Sequence, residues 1–354
     1  MKTANKTPEM QVTQVSAVVK KKEDTHMKAI VYQNYGSPDI LQLEEVAKPT
    51  PKEDEVLIKV HAASVNAGDW HLLRGDPFLV RLNLGLFKPK HQILGSDVAG
   101  RVEAVGNNVK QFRPGDEIFG DIFECGLGAF AEYVCARENA LVLKPANMTF
   151  EEVAAVPVAA LAALQGLRDK GQIQPGQKVL INGASGGVGT FAVQLAKAFG
   201  AEVTGVCSTR NVDTVLSLGA DHVIDYTQED FTKNGQHYDL ILAANGYHPI
   251  SAYKRALSPK GTYVMTGGSM AQLYQAMLLG PLISMTGSNK MGNLLSGPNQ
   301  KDLVFLKELL EAGKIVPVID RRYPLNEVAE AFRYVEEGHA RGKVVITVDQ
   351  NNNT

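Results

Sequence analysis

The stretch KVLINGASGGVGTFAVQLAKAFG, residues 178–200, decides the fold of this 354-residue chain. It begins with the apolar run 179–181, which is typical of a buried parallel strand. A glycine-rich turn follows at 183–189, and a pattern of helical period then runs to Gly200, a helix-ending position. Strand, tight turn and helix in this order predict a pyrophosphate site, because the turn amides and the positive helix end face an anion.

The segments beyond the turn strengthen this interpretation. The spacing of Gly183, Gly186 and Gly189 is a weak signal by itself, since glycine clusters form many turns. Further apolar runs, however, alternate with helical patterns. Strands are predicted at 202–206, 222–224, 238–242 and 261–265, and helices at 212–218 and 250–257. The alternation predicts a doubly wound parallel sheet.

The residues after the second predicted strand bear on the cofactor. Dinucleotide folds that bind NAD place an Asp or Glu about 20 residues past the glycines, where it holds the ribose 2′-hydroxyl. In this chain the window reads Ser208, Thr209, Arg210, with no carboxylate. A guanidinium fork and two hydroxyls suit a 2′-phosphate, so NADPH is favoured over NADH. The alternative is that Arg210 is an ordinary surface arginine.

Composition limits the class of protein. A formal net charge of −2 gives no general attraction to nucleic acid or to an anionic membrane, and no apolar run is long enough to span a bilayer. The three cysteines have neither disulfide nor metal spacing, which favours reduced thiols in the cytoplasm. Residues 1–26 are polar and lack arginine, so we expect a disordered extension and neither a signal peptide nor a mitochondrial presequence.

The front of the chain has a different pattern. Thr149 is expected to cap a helix that leads into the dinucleotide domain, with a kink at Pro157. A last strand at 344–348 is expected to return to the first domain. Helices are predicted at 302–310 and 325–336, and strands before Thr149 at 29–32, 41–43, 56–62, 98–105, 118–119 and 129–134. So many short strands predict a partly closed β-barrel.

Several short motifs in a fixed order carry a resemblance to a known family. They read SVNAGD at 64–69, RG at 74–75, GSDVAG at 95–100, RPGD at 113–116, GAFAEYV at 128–134, the glycine loop, and GKV at 342–344. Over about 27–348 the chain resembles the medium-chain dehydrogenase/reductase superfamily, and within it the zinc-free quinone oxidoreductase (zeta-crystallin-like and enone reductase) branch. The resemblance implies an α/β protein of two domains. These are a GroES-like, partly closed β-barrel at 27–148 and 292–350, and a doubly wound Rossmann domain at 149–291.

The resemblance also bears on a metal. Zinc-dependent relatives carry Gly-His-Glu where this chain reads Gly95, Ser96, Asp97, and a cysteine ligand where it has Asn66. Serine and asparagine replace those ligands poorly, so no catalytic metal is expected. Without zinc, hydrogen bonds must stabilise the developing oxyanion, and a substrate that spreads its own charge makes this easier. The prediction is therefore hydride transfer from NADPH to a quinone or an α,β-unsaturated carbonyl.

The site residues are placed mainly by the resemblance. Asn66 and Asp69 match positions on the nicotinamide side of the cleft and are catalytic candidates. His71 is the third, as a proton donor or as a rim residue. The predicted cofactor-binding residues are Asn66, Gly186, Gly187, Val188, Ser208, Thr209, Arg210, Tyr226, Asn245, Gly267, Gly268, Arg341 and Lys343. The last two are equally open to interpretation as solvated charges.

Other possibilities stay open. A reductase of thioester-linked enoyl groups is one, and an NADPH-binding structural or regulatory protein with little turnover is another, since no residue stands out as a general acid. Relatives often pair through the edge strand of the nucleotide domain, so a homodimer is expected, with that edge near 283–286. The segment 278–296 is open to interpretation as a mobile lid, a plain connection or part of the dimer edge.

Overall fold

The computed structural model describes residues 25–78, 81–82 and 85–348. Residues 1–24 of the predicted extension lie outside this part, as do 349 and 350 of the predicted barrel domain. Strand β1 begins at His26, so the predicted extension reaches at least one residue too far.

The first half of the chain forms a β-rich domain. In strand β3 the side chains of Val56, Ile58, Val60 and Ala62 are fully buried, which is the two-residue period of a strand with one face on a core. Helix α1 (Ala67–Arg74) follows β3 and was not predicted. The strands are β1 (His26–Val31), β2 (Gln42–Ala47), β3 (Glu55–Val65), β4 (Asp97–Val105), β5 (Glu117–Asp121), β6 (Tyr133–Arg137) and β7 (Leu141–Leu143).

The second half contains the predicted doubly wound sheet. Its helices are α2 (Phe150–Ala154), α3 (Pro157–Leu164), continued by a π-helix at Gln165–Lys170, α4 (Gly187–Ala198), α5 (Val212–Ser217), α6 (Ile250–Ala256) and α7 (Met270–Thr286). Its strands are β8 (Lys178–Asn182), β9 (Glu202–Cys207), β10 (His222–Asp225), β11 (Tyr238–Ala243), β12 (Leu257–Met265) and β13 (Lys290–Asn293). All pairs are parallel, in the order β10-β9-β8-β11-β12-β13.

That strand order fixes the place of a binding crevice. The chain proceeds outward from β8 to β10 on one side, and from β11 to β13 on the other. Ligands of open parallel sheets bind beyond the carboxyl ends of the strands where the order reverses. The reversal here lies between β8 and β11, directly at the glycine-rich turn.

The end of the chain returns to the first domain, as predicted. After α8 (Gln300–Glu311) come β14 (Ile319–Pro324), α9 (Val328–Glu336) and β15 (Lys343–Thr347). Strand β15 pairs antiparallel with β3 in a sheet of order β14-β15-β3-β4-β5-β7, to which β6 adds through β3. This pairing places Lys343, from the last strand, beside Asn66, which precedes it in the chain by 277 positions.

Three local predictions need correction. The helix expected from Thr149 is two helices, because Pro157 has no N–H to donate and begins a new one. The strand predicted at 129–134 begins only at Tyr133, since Ala131 makes no more than a single bridge to Ala29. The residues 283–286 belong to helix α7, and the edge strand of the sheet is Lys290–Asn293.

Candidate active site

The glycine-rich turn is shaped by close backbone contacts. Gly183 has φ +85°, and a Cβ there would lie 2.8 Å from the backbone nitrogen of Asn245. A Cβ on Gly189 would lie 2.0 Å from the carbonyl oxygen of Gly183, so this glycine is needed to pack helix α4 on the turn. A Cβ on Gly186 would meet only that same oxygen, at 3.6 Å. The space beside Gly186 is therefore open to a ligand.

This space belongs to a cleft of about 470 Å³ at the carboxyl ends of the strands. The cleft is lined by five of the predicted cofactor residues: Gly186, Ser208, Arg210, Tyr226 and Asn245. A depression of about 300 Å³ adjoins it, lined by Ser208, Thr209, Arg210, Tyr226 and His339. The structure thus brings together residues from the turn and from the ends of three strands.

The remaining predicted cofactor residues stand around this cleft. Gly187 and Val188 form the first turn of α4. A Cβ on Gly267 would lie 2.4 Å from the carbonyl oxygen of Ala244, and a Cβ on Gly268 would lie 3.0 Å from that of Gly246. The loop after β12 therefore packs directly on the loop after β11, which lines the cleft. Arg341 is exposed and is held through its backbone N–H, which donates to Asp320 at 2.8 Å.

Asn211 is a cleft residue that the sequence did not predict. Its side-chain amide nitrogen donates to the hydroxyls of Ser185, at 3.0 Å, and Ser208, at 3.2 Å. Its carbonyl oxygen Oδ1 is buried and has no hydrogen-bond partner among the described residues. A buried acceptor left without a donor is costly, and a hydroxyl of a bound ligand would satisfy it.

A second group of polar residues lies buried in the first domain. Lys343 Nζ donates to Asn66 Oδ1 at 2.5 Å and to Asp97 Oδ2 at 3.2 Å. The same Asp97 oxygen accepts from Asn66 Nδ2 at 2.9 Å and from Ser64 Oγ at 2.5 Å. The other oxygen, Oδ1, accepts from the backbone N–H of Val158 at 2.8 Å. With only 3% of its surface exposed, Lys343 is not the solvated charge of the alternative interpretation.

This network meets the dinucleotide domain at the glycine-rich turn. A Cβ on Gly187 would lie 3.1 Å from Cδ of Lys343 and 3.5 Å from the carbonyl oxygen of Gly342. The buried aliphatic part of the Lys343 side chain thus lies against the first turn of α4, whose free N–H groups carry partial positive charge. Asn66, Lys343 and Gly187, predicted separately, are neighbours in the folded chain.

Two carboxyl groups near the network have displaced pKa values. Burial raises the pKa of Asp69 to about 7; repulsion by Asp97 adds to this, and the amide N–H of Asn66 opposes it. Asp69 Oδ2 accepts that N–H at 2.8 Å, whereas Oδ1 is buried without a hydrogen-bond partner among the described residues. Burial also raises the pKa of Asp121 to about 7, again with repulsion from Asp97. Both groups therefore hold a proton for part of the time near neutral pH.

His71 has a different environment. Its Nδ1 lies 2.9 Å from the carbonyl oxygen of Asp76, so this nitrogen carries the hydrogen and donates it. The ring stacks on Trp70 at 3.7 Å between centroids, and burial lowers the pKa of His71. The imidazole is held neutral, with its N–H already engaged. None of its contacts within the described ranges joins it to the Asn66 network.

Comparisons with known proteins match both halves of the chain. Residues 52–146 match the alcohol dehydrogenase GroES-like domain, and residues 218–346 match the zinc-binding dehydrogenase family. A 2-methylene-furan-3-one reductase of Solanum lycopersicum is 39% identical over 337 residues, which cover 91% of this chain and 79% of that protein. A chloroplast envelope quinone oxidoreductase homolog of Arabidopsis thaliana is 36% identical, with 90% of this chain and 98% of that protein covered.

A solved structure shows the same arrangement of domains. The quinone oxidoreductase from Coxiella burnetii superposes with a TM-score of 0.82 at 31% identity, covering 92% of this chain and 100% of that one. The predicted combination of a GroES-like domain with a parallel Rossmann-like sheet is confirmed by this match and by the two family matches.

The family description raises the question of zinc, and the residues present do not fit it. Both oxygens of Asp97 are engaged by hydrogen-bond donors, one of them the ammonium of Lys343. Ser96 and Asn66 offer no imidazole or thiolate. Within the part of the chain that the structure describes, no group of three or more His, Cys, Asp or Glu side chains is arranged to hold a metal ion.

The expected compartment needs correction. The Arabidopsis relative is a chloroplast envelope protein by name, and a Bos taurus NAD(P)H oxidoreductase that is 34% identical, over 92% of this chain and 90% of its own, is named as mitochondrial. The assignment to the cytoplasm is therefore wrong, and the relatives point to an organelle. Reduced cysteines and an arginine-poor start do not distinguish one reducing compartment from another. Among the helices of the described residues, none combines the length and apolar character needed to cross a bilayer.

Proposed function

The chain belongs to the medium-chain dehydrogenase/reductase superfamily, and from that premise we propose that it is an NADPH-dependent reductase of quinones or α,β-unsaturated carbonyls. Relatives named for quinone and enone reduction support this class. The observation that carries the proposal is the open space at Gly186, where the strand order reverses and the Asn66–Asp97–Lys343 network meets the same turn.

The cofactor is assigned along this cleft. The N-terminus of α4, with Gly186, Gly187 and Val188, receives the pyrophosphate through backbone N–H groups. Asn211 Oδ1 accepts a ribose hydroxyl, which supplies its missing donor. Tyr226 is 58% exposed at the edge of the cleft and offers a face to the adenosine. Bound in this way, the reduced nicotinamide supplies the hydride.

The preference for a phosphorylated cofactor rests on the depression next to the cleft. Ser208, Thr209 and Arg210 line it, and the hydrogen bond that Arg210 makes among the described residues is a long one, 3.5 Å, to the carbonyl oxygen of His339. Its guanidinium is thus available for a 2′-phosphate. The test is Arg210→Glu, which should weaken NADPH binding by at least about tenfold relative to NADH. An unchanged ratio of dissociation constants would remove this assignment.

The network supplies the groups for the substrate oxygen. Lys343 fixes the Asn66 carbonyl, and Asp97 takes one of the two Nδ2 hydrogens. The amide is thereby fixed, and its second Nδ2 hydrogen can donate to the quinone or enone oxygen on which negative charge develops. Asp69, close to Asn66 and partly protonated near neutral pH, holds a proton there. His71 is not assigned to proton transfer, because its Nδ1 hydrogen is engaged by Asp76.

The reaction class is tested with the purified full chain and NADPH. A quinone, a small alkyl enone and a crotonyl thioester are added in turn, and the loss of nicotinamide absorbance is followed. The proposal expects rapid oxidation with the quinone or the enone. Oxidation with the thioester alone would contradict it and support an enoyl-thioester reductase. This second candidate is supported by the structure of the CurK enoyl reductase. That structure superposes with a TM-score of 0.81 at 26% identity, covering 92% of this chain and 100% of that one.

The non-enzymatic alternative is weakened by the comparisons. The matching relatives are named as oxidoreductases and reductases, which supports turnover in this chain as well. Tight NADPH binding with no oxidation on a broad panel of acceptors would be needed to revive a structural or regulatory role.

We also propose a homodimer. Strand β13 (Lys290–Asn293) pairs with β12 on one side. Its other edge pairs with no strand among the described residues, so it is available to a second copy of the chain. Helix α7 beside it exposes apolar side chains, with Leu278 at 69% and Met285 at 83% exposure. Light scattering on the full chain should give a mass near twice 38.3 kDa. A monomer at micromolar concentration would contradict this part of the proposal.

A further inference from the structure

A carboxylate stands beside the residues expected to hold the 2′-phosphate. Asp225 ends strand β10, and the parallel register pairs it with Cys207 at the end of β9. Cys207 directly precedes Ser208, Thr209 and Arg210. The acid that is missing from the sequence window after β9 is therefore present in space, supplied by the neighbouring strand.

The hydrogen bonds of Asp225 tie it to that window. Its Oδ2 accepts the Thr209 hydroxyl at 2.5 Å, and its Oδ1 accepts the backbone N–H and the hydroxyl of Thr227, at 3.0 and 2.8 Å. These bonds, that of Thr209 above all, hold the pKa of Asp225 below its usual range, so the group is ionised at neutral pH. A hydroxyl has one hydrogen to donate. While Thr209 donates to Asp225, it does not donate to a phosphate.

The charges in the depression have opposite consequences for the two cofactors. Arg210 attracts the dianionic 2′-phosphate of NADPH, whereas the Asp225 carboxylate next to Thr209 repels it. A 2′-hydroxyl is uncharged and can donate its own hydrogen, so NADH meets no such repulsion. Of the other acids near the cleft, Asp230 is paired with Lys233 at 2.9 Å, and Glu229 accepts from Asn234 at 2.8 Å.

We propose that Asp225 is a specificity-determining residue of the cofactor site, which reduces the preference for NADPH by withholding the Thr209 hydroxyl and by repelling the 2′-phosphate. The inference rests on the proposed function, because it refines how that site distinguishes two dinucleotides. It concerns a residue 36 positions beyond Gly189 (225 − 189), well outside the window in which the specificity acid is sought.

The test measures dissociation constants of the full chain for NADPH, NADH, 2′,5′-ADP and 5′-ADP by titration calorimetry. In Asp225→Asn the preference for NADPH over NADH should rise at least about fivefold, because one negative charge is lost and the Thr209 hydroxyl is released. The preference for 2′,5′-ADP over 5′-ADP should rise similarly. Glu229→Gln is the matched control: it removes the same charge from the cleft lining, and its ratios should stay within about twofold.

Several outcomes would overturn the inference. One is a preference for NADPH over NADH that is unchanged or lower in Asp225→Asn. Another is an equal rise of this preference in Glu229→Gln, which would indicate a general charge effect. A second variant, Thr209→Val, should change NADPH affinity by less than about twofold, because the hydroxyl is already committed to Asp225. A fivefold loss there would show direct phosphate binding and contradict the inference. If the unaltered chain binds neither dinucleotide, the proposed function fails as well; binding with an unmoved ratio in Asp225→Asn refutes this inference alone.

Discussion

Lys343 Nζ and Asp97 Oδ2 form an ion pair of 3.2 Å in which the lysine side chain is 3% exposed and the aspartate side chain fully buried. The two residues come from strands β15 and β4 of the first domain's larger sheet. Charges removed from water require good geometry and further hydrogen bonds, and Asn66 and Ser64 complete the set. Asp97 and Asn66 are residues that the resemblance matches to the positions where zinc-dependent relatives carry Gly-His-Glu and a cysteine ligand.

Removing one member of this pair should be costly. Lys343→Met keeps the length of the side chain and leaves Asp97 as a buried, uncompensated charge. We expect the free energy of unfolding to fall by about 3–5 kcal/mol, measured by urea denaturation. The exposed pair of Lys197 and Asp221, at 2.7 Å, provides the matched control, and Lys197→Met should cost less than about 1 kcal/mol.

The pair itself is separated from its parts by a double variant. Lys343→Met with Asp97→Asn removes both charges, so much of the loss caused by Lys343→Met alone should be recovered. A double variant as unstable as the sum of the single variants would show that Lys343 and Asp97 do not act as a pair.

The glycine-rich turn gives a prediction that separates folding from binding. In Gly186→Ala the new Cβ meets only the carbonyl oxygen of Gly183, at an ordinary contact distance of 3.6 Å, so stability should change by less than about 0.5 kcal/mol. The same Cβ would stand where the pyrophosphate is proposed to approach the backbone, and NADPH affinity should fall at least about tenfold. Thermal melting with and without NADPH measures both effects.

Gly189→Ala is the counterpart of that variant. Its Cβ would lie 2.0 Å from the carbonyl oxygen of Gly183, so the backbone must shift, and we expect a loss of stability without any ligand. If Gly186→Ala and Gly189→Ala lose stability equally and bind NADPH equally, the proposed position of the pyrophosphate is wrong.

Much of the fold was accessible from the sequence because its signals are local. The glycine turn and the apolar runs of β8–β12 each depend on neighbours in the chain. The influence of Pro157 is local too, although it was predicted to kink one helix and in fact begins a second. Helix α1 was missed because eight residues, with Gly68 and Asp69 in the first turn, give little helical periodicity. Strand β13 was missed because KMGN is four residues long and has one large apolar residue, Met291, which is too little for a strand pattern.

The site was less accessible because it depends on contacts that are distant in sequence. Lys343 and Asn66 are 277 positions apart, and nothing near Lys343 shows that it is buried. Similarly, Ser208, Thr209 and Arg210 were identified in the segment directly after β9, while Asp225 joins them only through the register of β9 with β10. Sequence patterns give residues on one element; pairing between elements decides which charges meet.

Asn66 should affect turnover more than stability. In Asn66→Ala the donor proposed for the substrate oxygen is lost, and kcat with a quinone should fall by about 100-fold. Ser64→Ala is the matched control: it also removes one hydrogen bond to Asp97, but no donor from the cleft. It should lower the unfolding free energy by about 1 kcal/mol and leave kcat within about threefold. Equal kcat losses in both variants would assign Asn66 to support of Asp97 only.

Asp69 should make the protein less stable as the pH rises. Its pKa is raised by burial from 3.8 to about 7, so the folded chain holds a proton that the unfolded chain releases. The stability that this proton contributes is fully present below pH 3.8 and is lost as the pH rises through about 7. At about 1.4 kcal/mol per pKa unit, the loss is on the order of a few kcal/mol.

Urea unfolding between pH 5 and 8 tests this dependence, and Asp69→Asn should lessen the decline. Asp121→Asn should act in the same direction, because the pKa of Asp121 is also raised to about 7 by burial. Asp230→Asn is the control of opposite sign. Its pKa is lowered to about 2 by the hydrogen bonds to Lys233 and Thr232, which outweigh its slight burial, so its contribution is lost only as the pH falls below about 4. If the unfolding free energy of Asp69→Asn declines with pH as steeply as that of the unaltered chain, Asp69 is ionised over this whole pH range and cannot hold the proton beside Asn66.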